Sequence, residues 1–489
     1  MTAPASSHDE NREVRLLPYS FARRHGAVLS SDVSELNKLF ISEKCQKSVI
    51  AEVFRHWPQI SEVEHVDQSR FDALLSEIYG RRGFDQSAES QGSSQVDEDL
   101  DSALQSVEKA ADLLDSDDDA PIIRLLNSLL SEAVRAGASD IHLEPFENKM
   151  LARLRIDGIL TEIASLSAKL APYLVSRVKV MARLDIAETR LPQDGRLSLT
   201  LGEKNYDVRV STLPIRYGER VVMRLLDKDS VQYDLADLGM TSELRKVFES
   251  TLKEPNGIIL VTGPTGSGKT TTLYAALEIL NETERNIMTV EDPIEYALHG
   301  VSQTQVNNKI GMTFASGLRS ILRQDPDIVM VGEIRDRETA EIAVQASLTG
   351  HIVLSTVHTN SATSAVTRLV DMGIENYLLA SSLKLVLAQR LVRRLCSSCK
   401  TQDESGEYHP VGCDQCQNNG YRGRVGIYEI LSVDENIRSM LARGADEQEI
   451  EAYAFSKTQK LSDAGYALVQ AGETTKAEII RVARLPDDI

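Results

Sequence analysis

The sequence predicts a multidomain α/β protein, and three observations carry that prediction. At 489 residues the chain exceeds what one hydrophobic core encloses, and about three or four domains follow from its length. Between residues 237 and 395, strand-like runs "GIILVTG", "NIMTV", "DIVMV" and "HIVLSTV" alternate with helical segments. That alternation is the pattern of a largely parallel sheet covered by helices on both faces. Directly after the first run comes "GPTGSGKTT", Gly263 to Thr271, at the handover from strand to helix.

Residues 1–84 read as a small mixed domain, with Arg23, Arg24 and His25 set among apolar neighbours in "LLPYSFARRHGAVLS". From Asp85 to Asp119 there are twelve acidic residues against one base, Lys109, which marks an acidic linker with room for a solvated helix around "LQSVEKAADLL". Residues 120–236 open on a helix. Pro121 starts it, Ile122, Leu125, Leu126, Leu129 and Val134 share its apolar face, and Gly137 ends it. "MLARLRIDGILTEI" follows as two strands about an Asp157-Gly158 turn. In "YDVRVSTL", Val208 and Val210 share one face and Arg209 takes the other. In "RVVMRLL", Val221, Met223 and Leu225 point inward while Arg220 and Arg224 point away. On periodicity alone, Arg209 and Arg224 are solvated sheet-face residues. Residues 237–395 form the sheet-and-helix core, 396–420 a cysteine-bearing arm, and 421–489 a helical region, with Thr475 to Glu478 as a capping box before "IIRVARL".

Composition narrows the function. No run of eighteen apolar residues occurs, and the first twenty residues lack an apolar signal core, so any membrane contact is expected to be peripheral and through a partner. A formal net charge of −19 repels phosphate backbones, which speaks against a nucleic-acid motor. Of the five cysteines four are clustered, which suits a reducing compartment and a metal site; Cys45 stands apart.

The stretch Gly263, Pro264, Thr265, Gly266, Ser267, Gly268, Lys269, Thr270 meets the pattern G-x-x-x-x-G-K-[ST]. Its glycines let backbone N–H groups turn inward on a phosphate chain, and the following helix adds its positive end. Lys269 is placed to reach the outer phosphates of ATP and the Thr270 hydroxyl to ligate Mg²⁺. A second acidic part is needed near the terminal phosphate. "DPDIVMVGEIRD" supplies it, with Gly332 at the strand end where many relatives of this loop put an aspartate, and Glu333 next; a salt bridge to Arg335 or Arg337 is the structural alternative. "TVEDPIE" adds Glu291, Asp292 and Glu295 at another strand end, and the sequence does not divide base from metal-holding roles among them. His358 ends the strand "HIVLSTV" and His351 begins it; for His351 a structural role weighs equally. Arg319 and Arg323, four apart on one helix face, are either surface charge or fingers for a neighbouring subunit's phosphate site.

Cys396-x2-Cys399 and Cys413-x2-Cys416, thirteen residues apart, suit tetrahedral Zn²⁺ on four thiolates in preference to redox pairs. Four protein ligands leave no open position, so the site is structural.

These motifs together resemble the secretion ATPases of the type II pathway, the E-protein family, within the wider group of pilus-assembly and type IV secretion motors. The resemblance rests on "DDDAPIIRLLNSLLSEAVRAGASDIHLEP", "LPQDGR", "GERVVMRLLDK", "GPTGSGKTTTLY", "TVEDPIEY", "LRSILRQDPDIVMVGEIRDRETAEIAVQASLTGH", "STVHTN" and the paired cysteine knuckles, with "LLPYSFARRHGAVL" at the start. It implies an N-terminal adaptor domain, a PAS-like α+β middle domain and a RecA-like motor with a zinc-bearing C-terminal region. It also implies a cytoplasmic ring of six subunits that hydrolyses ATP between middle and motor domains, driving pseudopilus assembly. On this match Arg209 and Arg224 clamp phosphates, Glu333 is the Walker B glutamate, and Glu291, Asp292 and Glu295 form the Asp box, with His351 and His358 in the His box. Residues 1–84 would dock on the cytoplasmic part of an inner-membrane secretion protein, and the motor on a polytopic platform protein. One departure stands out: the segment between the knuckles is shorter than the family pattern, which bears on the arm's shape and not on its ligands.

The nearest rival is a type IV pilus assembly motor, which the compact first domain disfavours; a retraction motor generally lacks the cysteines. A nucleic-acid-translocating ring and a non-catalytic nucleotide-gated scaffold are the readings from other classes.

Overall fold

The computed structural model describes residues 17, 21–22, 25–30, 38–57, 60–67, 70–71, 74–75, 78, 100, 102–104, 120–201, 204–227 and 234–483. Arg23, Arg24 and, apart from residues 100 and 102–104, the acidic stretch 85–119 lie outside them. The chain forms two compact units, Met1–Asp229 and Ser230–Ile489.

In the first unit, β1 (Ala27–Leu29), β2 (Lys38–Ile41) and β3 (Glu62–His65) make a small sheet flanked by α1 (Lys47–His56). Its core of Leu39, Ile41, Val53 and Phe71 also takes in Val180 and Ile186 of the middle domain. The adaptor segment is therefore packed into this unit and does not stand apart from it.

The middle domain begins with α2 (Ala120–Arg135), followed by β4 (Asp140–Pro145), β5 (Lys149–Ile156) and β6 (Ile159–Ser167). The turn between β5 and β6 is the expected one: Asp157 has φ 49° and Gly158 φ 85°, with Ile156 paired to Ile159. Then come α3 (Ala171–Met181), β7 (Gln193–Leu201), β8 (Lys204–Ile215) and β9 (Gly218–Asp227). The six strands form one antiparallel sheet in the order β6-β5-β4-β9-β8-β7. Leu125 and Leu129 of α2 and Leu174 and Val178 of α3 cover one face, on Val208, Val221 and Met223.

The second unit is a RecA-like motor. Its sheet runs β12-β11-β13-β14-β10-β15-β18. In chain order α4 (Ser242–Leu252) leads to β10 (Gly257–Thr262), α5 (Lys269–Leu280), β11 (Ile287–Glu291), β12 (Val301–Gln305) and α6 (Phe314–Ile321). Next are β13 (Ile328–Val331), α7 (Arg337–Leu348), β14 (Ile352–Val357), α8 (Ala362–Asp371), α9 (Asn376–Ser382) and β15 (Leu383–Leu395). Successive residues of β10 feed opposite cores: Ile258 and Leu260 pack on one side, Ile259 and Val261 on the other. A strand buried on both faces reads as a continuous apolar run, which is why these strands showed so plainly.

Beyond β15 the structure departs from the expectation. Residues 421–432 are not helical. They form β18 (Tyr421–Ser432), antiparallel to β15 along nearly its whole length, and close the motor sheet. The cysteine arm is thus the loop of a long hairpin, and within it β16 (Thr401–Gln402) and β17 (Tyr408–His409) pair as a small ribbon. Asp403 holds that ribbon by accepting from Ser405 N at 2.9 Å, Glu407 N at 3.0 Å and His409 Nε2 at 2.7 Å. Helices do end the chain: α10 (Glu435–Ala442), α11 (Glu447–Ala454), α12 (Leu461–Gln470) and α13 (Lys476–Ala483). At α13 the Thr475 hydroxyl accepts from Glu478 N at 3.3 Å, while the Glu478 carboxylate turns to Arg393 and Arg481, each at 2.6 Å.

Candidate nucleotide site

The loop between β10 and α5 is shaped by its glycines. Gly263 has φ 150° and Gly268 φ 87°. A Cβ on Gly263 would stand 2.5 Å from both the Gln389 carbonyl oxygen and the Ser267 hydroxyl. No side-chain-bearing residue satisfies that backbone and that contact together. Pro264, Thr265 and Gly266 form the exposed crest, and Thr270 is half-buried in the first turn of α5.

Lys269 is buried at 8% exposure and donates to the Gly263 carbonyl at 2.9 Å and the Pro264 carbonyl at 3.1 Å. Burial lowers its pKa to about 8; the nearby Glu333 opposes that shift and Arg390 adds to it. Ser267 Oγ is buried with no hydrogen-bond partner among the described residues. A buried ammonium, an unsatisfied hydroxyl and glycine-opened backbone together fit a phosphate chain.

Two residues of β15 that the sequence reading passed over brace this loop. Gln389 Nε2 donates to the Ser267 carbonyl at 2.6 Å, and Thr272 Oγ1 donates to Gln389 Oε1 at 2.8 Å. Arg390 is 5% exposed and donates to the Asn360 carbonyl at 2.7 Å, tying the loop after β14 to the same strand. The signal in the sequence was "LAQRL", two polar residues inside the buried middle of the strand.

Glu333 leaves the end of β13 on a segment held at both sides. Gly332 N donates to the Val290 carbonyl at 2.8 Å, and Ile334 N to the Thr356 carbonyl at 2.9 Å. Its carboxylate is bridged by Arg335 and lies 3.3 Å from His358 Nε2. Arg337, the other partner considered, pairs instead with Glu341 at 2.7 Å. The structure therefore brings Lys269, Glu333 and His358 together beyond the C-terminal ends of β10, β13 and β14.

Glu291 is in a different situation. It is 2% exposed and accepts from Tyr274 Oη, from Thr289 Oγ1 at 2.5 Å and from Gln303 Nε2 at 3.1 Å. Burial raises its pKa above the ordinary range, and the three donors only partly offset that. Its oxygens are engaged within the fold. Asp292 is exposed and Glu295 half-buried, and Asp292 lies near enough to Arg335 to help hold its charge.

Three other candidates stand elsewhere. His351 precedes β14 at the N-terminal end of the sheet, where Nδ1 lies 2.8 Å from the Ala346 carbonyl. Six residues of β14 separate it from the phosphate edge, about 20 Å of strand, so its place supports the structural role. Arg319 pairs with Glu338 at 2.5 Å, and Arg323 donates to the Arg319 carbonyl at 3.0 Å on the same exposed helix surface.

In the first unit, Arg209 and Arg224 occupy the polar face of the middle sheet as expected, directly opposite one another. What the sequence reading missed stands beside them, on β4. Asp140, 4% exposed, accepts from Arg224 Nε at 2.8 Å and from Ser139 Oγ at 2.7 Å. Burial alone would raise its pKa, but those two hydrogen bonds, together with the charge of Arg224 and the nearby His142, outweigh it and the carboxyl sits below the ordinary range. Further along the same strand, Glu144 is bridged by Arg153 at 2.5 Å and Arg220 at 2.7 Å. The alternation in "SDIHLEP" was visible; its partners come from strands far along the chain.

The four arm cysteines gather. Sγ–Sγ separations are 3.9 Å for Cys396–Cys413, 3.7 Å for Cys399–Cys416 and 3.8 Å for Cys413–Cys416. Four sulfurs at about 2.3 Å from a central Zn²⁺ stand about 3.8 Å apart in a tetrahedron, so this cluster is consistent with zinc.

Comparison with known proteins agrees with both halves. A family model described as type II/IV secretion system protein matches residues 115–481, and one described as a domain of GSPII protein E matches 16–79. The type II secretion system ATPase E of Vibrio cholerae is 48% identical, covering 99% of this chain and 100% of the relative. The type II secretion system protein E of Pseudomonas aeruginosa is 51% identical, with 96% of each chain covered. Among solved structures, the pilus retraction motor PilT with bound ADP is 27% identical at a TM-score of 0.53, over 74% of this chain and 97% of PilT. The Legionella pneumophila ATPase DotB shares the fold, at 22% identity and a TM-score of 0.57, over 73% of this chain and 95% of DotB. With its motor residues and its first domain both matched, the chain belongs to the E-protein family of type II secretion ATPases.

Proposed function

We propose that this chain is a cytoplasmic ATPase that works as a homo-hexamer at the inner membrane, turning over ATP to assemble the pseudopilus of type II secretion. The observation that supports it most directly is the convergence of Lys269, Glu333 and His358 beside the Gly263–Thr270 loop. The match of residues 16–79 to a domain of protein E favours secretion over a pilus assembly motor.

On this reading the loop N–H groups and Lys269 hold the phosphate chain, and Thr270 with Glu333 holds Mg²⁺. The metal supplies charge neutralisation on the phosphate oxygens. Glu333 and Glu295 are the carboxylates available to orient and deprotonate water, with His358 fixing Glu333. Asp292 steadies Arg335, and the enclosed Glu291 holds the strand end in shape. Arg209 and Arg224, side by side on the polar face of the middle sheet, are read as phosphate-binding arginines that stabilise the charge developing during turnover. Zn²⁺ on Cys396, Cys399, Cys413 and Cys416 staples the arm. Residues 1–84 meet the cytoplasmic domain of an inner-membrane secretion protein, and the motor meets a polytopic platform protein. Nucleic acid has no part, and membrane contact is peripheral.

The test is phosphate release by the full chain, alone and with the partner's cytoplasmic domain. Turnover should be slow alone and rise with the partner. Glu333→Gln should reduce it by a factor of about 10² or more, on the order expected of a group acting in the transition state. Unchanged release in Glu333→Gln would instead support the nucleotide-gated scaffold.

A further inference from the structure

The polar face of the middle sheet carries a third arginine in line with the two already described. Arg196 of β7 lies directly opposite Arg209 of β8, and Arg209 directly opposite Arg224 of β9. Strands spaced about 4.8 Å apart make this a cationic row about 10 Å long. A cavity of about 380 Å³ opens along it, and Arg196, Arg209 and Arg224 line it with Asp194 and Ser211.

The local sequence is built to hold Arg196 in that row. Gln193 knits the preceding loop: its Oε1 accepts from Asp185 N at 2.8 Å, and its Nε2 donates to the Asp185 carbonyl at 2.9 Å and the Glu188 carbonyl at 2.8 Å. Gly195 packs so closely that a Cβ would stand 2.6 Å from the Ala182 carbonyl oxygen. The segment "LPQDGR" therefore reads as a pin, a close contact and a delivered guanidinium.

Like charges directly opposite on neighbouring strands destabilise a sheet. Asp140, directly opposite Arg224 on β4, and Asp194 at the cavity wall offset part of that. A row of guanidinium groups along an open cavity matches the shape of a linear polyanion, and guanidinium forks suit phosphate oxygens. We propose that Arg196 is a third phosphate-binding residue of this cavity, contacting the terminal phosphate of the nucleotide held by Arg209 and Arg224. This rests on the reading of that face as a phosphate clamp.

The experiment uses the full chain with Arg196→Gln and Arg196→Lys, beside Arg209→Ala and Arg224→Ala. Affinities are measured for ADP and for a non-hydrolysable ATP analogue, together with kcat and KM. One lost charge-assisted contact predicts that Arg196→Gln binds the ATP analogue about 10-fold to 100-fold more weakly. ADP affinity should change by much less, the melting temperature should hold, and Arg196→Lys should recover part of the loss. Equal weakening of both nucleotides would make Arg196 a loop-shaping residue and overturn the proposal. Wild-type affinities in Arg196→Gln, with Arg209→Ala and Arg224→Ala impaired, would also overturn it while leaving the clamp intact. Normal binding and turnover in all three positions would remove the clamp reading itself. If Arg196→Gln does not fold, the ratio of the two affinities in Arg196→Lys reads the same contact.

Discussion

Gln389 is wedged between the nucleotide loop and the first turn of α5, with its amide nitrogen on the Ser267 carbonyl at 2.6 Å and its amide oxygen on the Thr272 hydroxyl at 2.8 Å. At 1% exposure, neither group it serves can turn to water instead. Gln389→Leu should therefore cost about 1–3 kcal/mol of stability, the penalty for orphaned buried polar groups. It should also raise KM for ATP, because the loop loses its preset shape. Thermal melts and an ATP titration check both, and a variant with wild-type melting and KM would contradict the bracing role.

Lys269 makes nucleotide binding proton-linked. Its folded pKa of about 8 lies below the ordinary lysine value of 10.5. The nucleotide-free fold thus holds fewer protons than the unfolded chain between those values, and its stability rises with pH across that window. Phosphates restore the charge, so ATP binding at about pH 8.5 should take up protons, and binding at about pH 6.5 should take up almost none through this group. Calorimetry in buffers of differing ionisation enthalpy reads this directly; identical heats at the higher pH would count against it. Lys269→Met should abolish turnover and, at neutral pH, raise the melting temperature of the nucleotide-free chain.

Tyr274 and Glu291 form a buried pair whose loss should be felt in the fold as well as in activity. Tyr274→Phe takes one of three donors from a carboxylate whose pKa burial already raises. The expected outcome is a loss of about 1–3 kcal/mol and lower turnover, as the strand end that leads to Asp292 and Glu295 loosens. Denaturant midpoints for Tyr274→Phe and wild type, compared at about pH 6 and about pH 8, provide the measurement. The deficit should be larger at the higher pH, where the fold must carry the charged carboxylate.

Cys396→Ser with Cys399→Ser should empty the cluster of zinc and open residues 396–420 to protease, leaving the motor sheet folded. Metal analysis and limited proteolysis test this. A doubly substituted chain that keeps one zinc per chain would refute the ligand assignment.

What the sequence made legible was local. The Asp157-Gly158 turn, the glycine loop and the apolar runs of β10, β11, β13 and β14 each announce themselves within a few residues. The strand β18 did not. Its stretch Val425–Leu431 is buried on both faces, so no alternation of period two shows, and Gly423 and Gly426 interrupt it. Its partner β15 lies across the whole cysteine arm. Long-range pairing hid the rest: Arg224 finds Asp140 across 84 residues, and Gln389 finds Ser267 across 122. The sequence put His351 at the start and His358 at the end of one strand; that the end with His358 lies beside the glycine loop is a property of the assembled parallel sheet.

The hairpin that carries the cysteines returns to where it left. Leu395 faces Tyr421, and Cys396 N donates to the Gly420 carbonyl at 3.0 Å. Such an insertion can be excised and a short tight connection spliced in its place, because the two stubs already lie side by side. The same anatomy lets arms of differing length be transplanted between relatives. An arm of altered length can therefore diverge to suit its own machinery while the engine behind it stays the same.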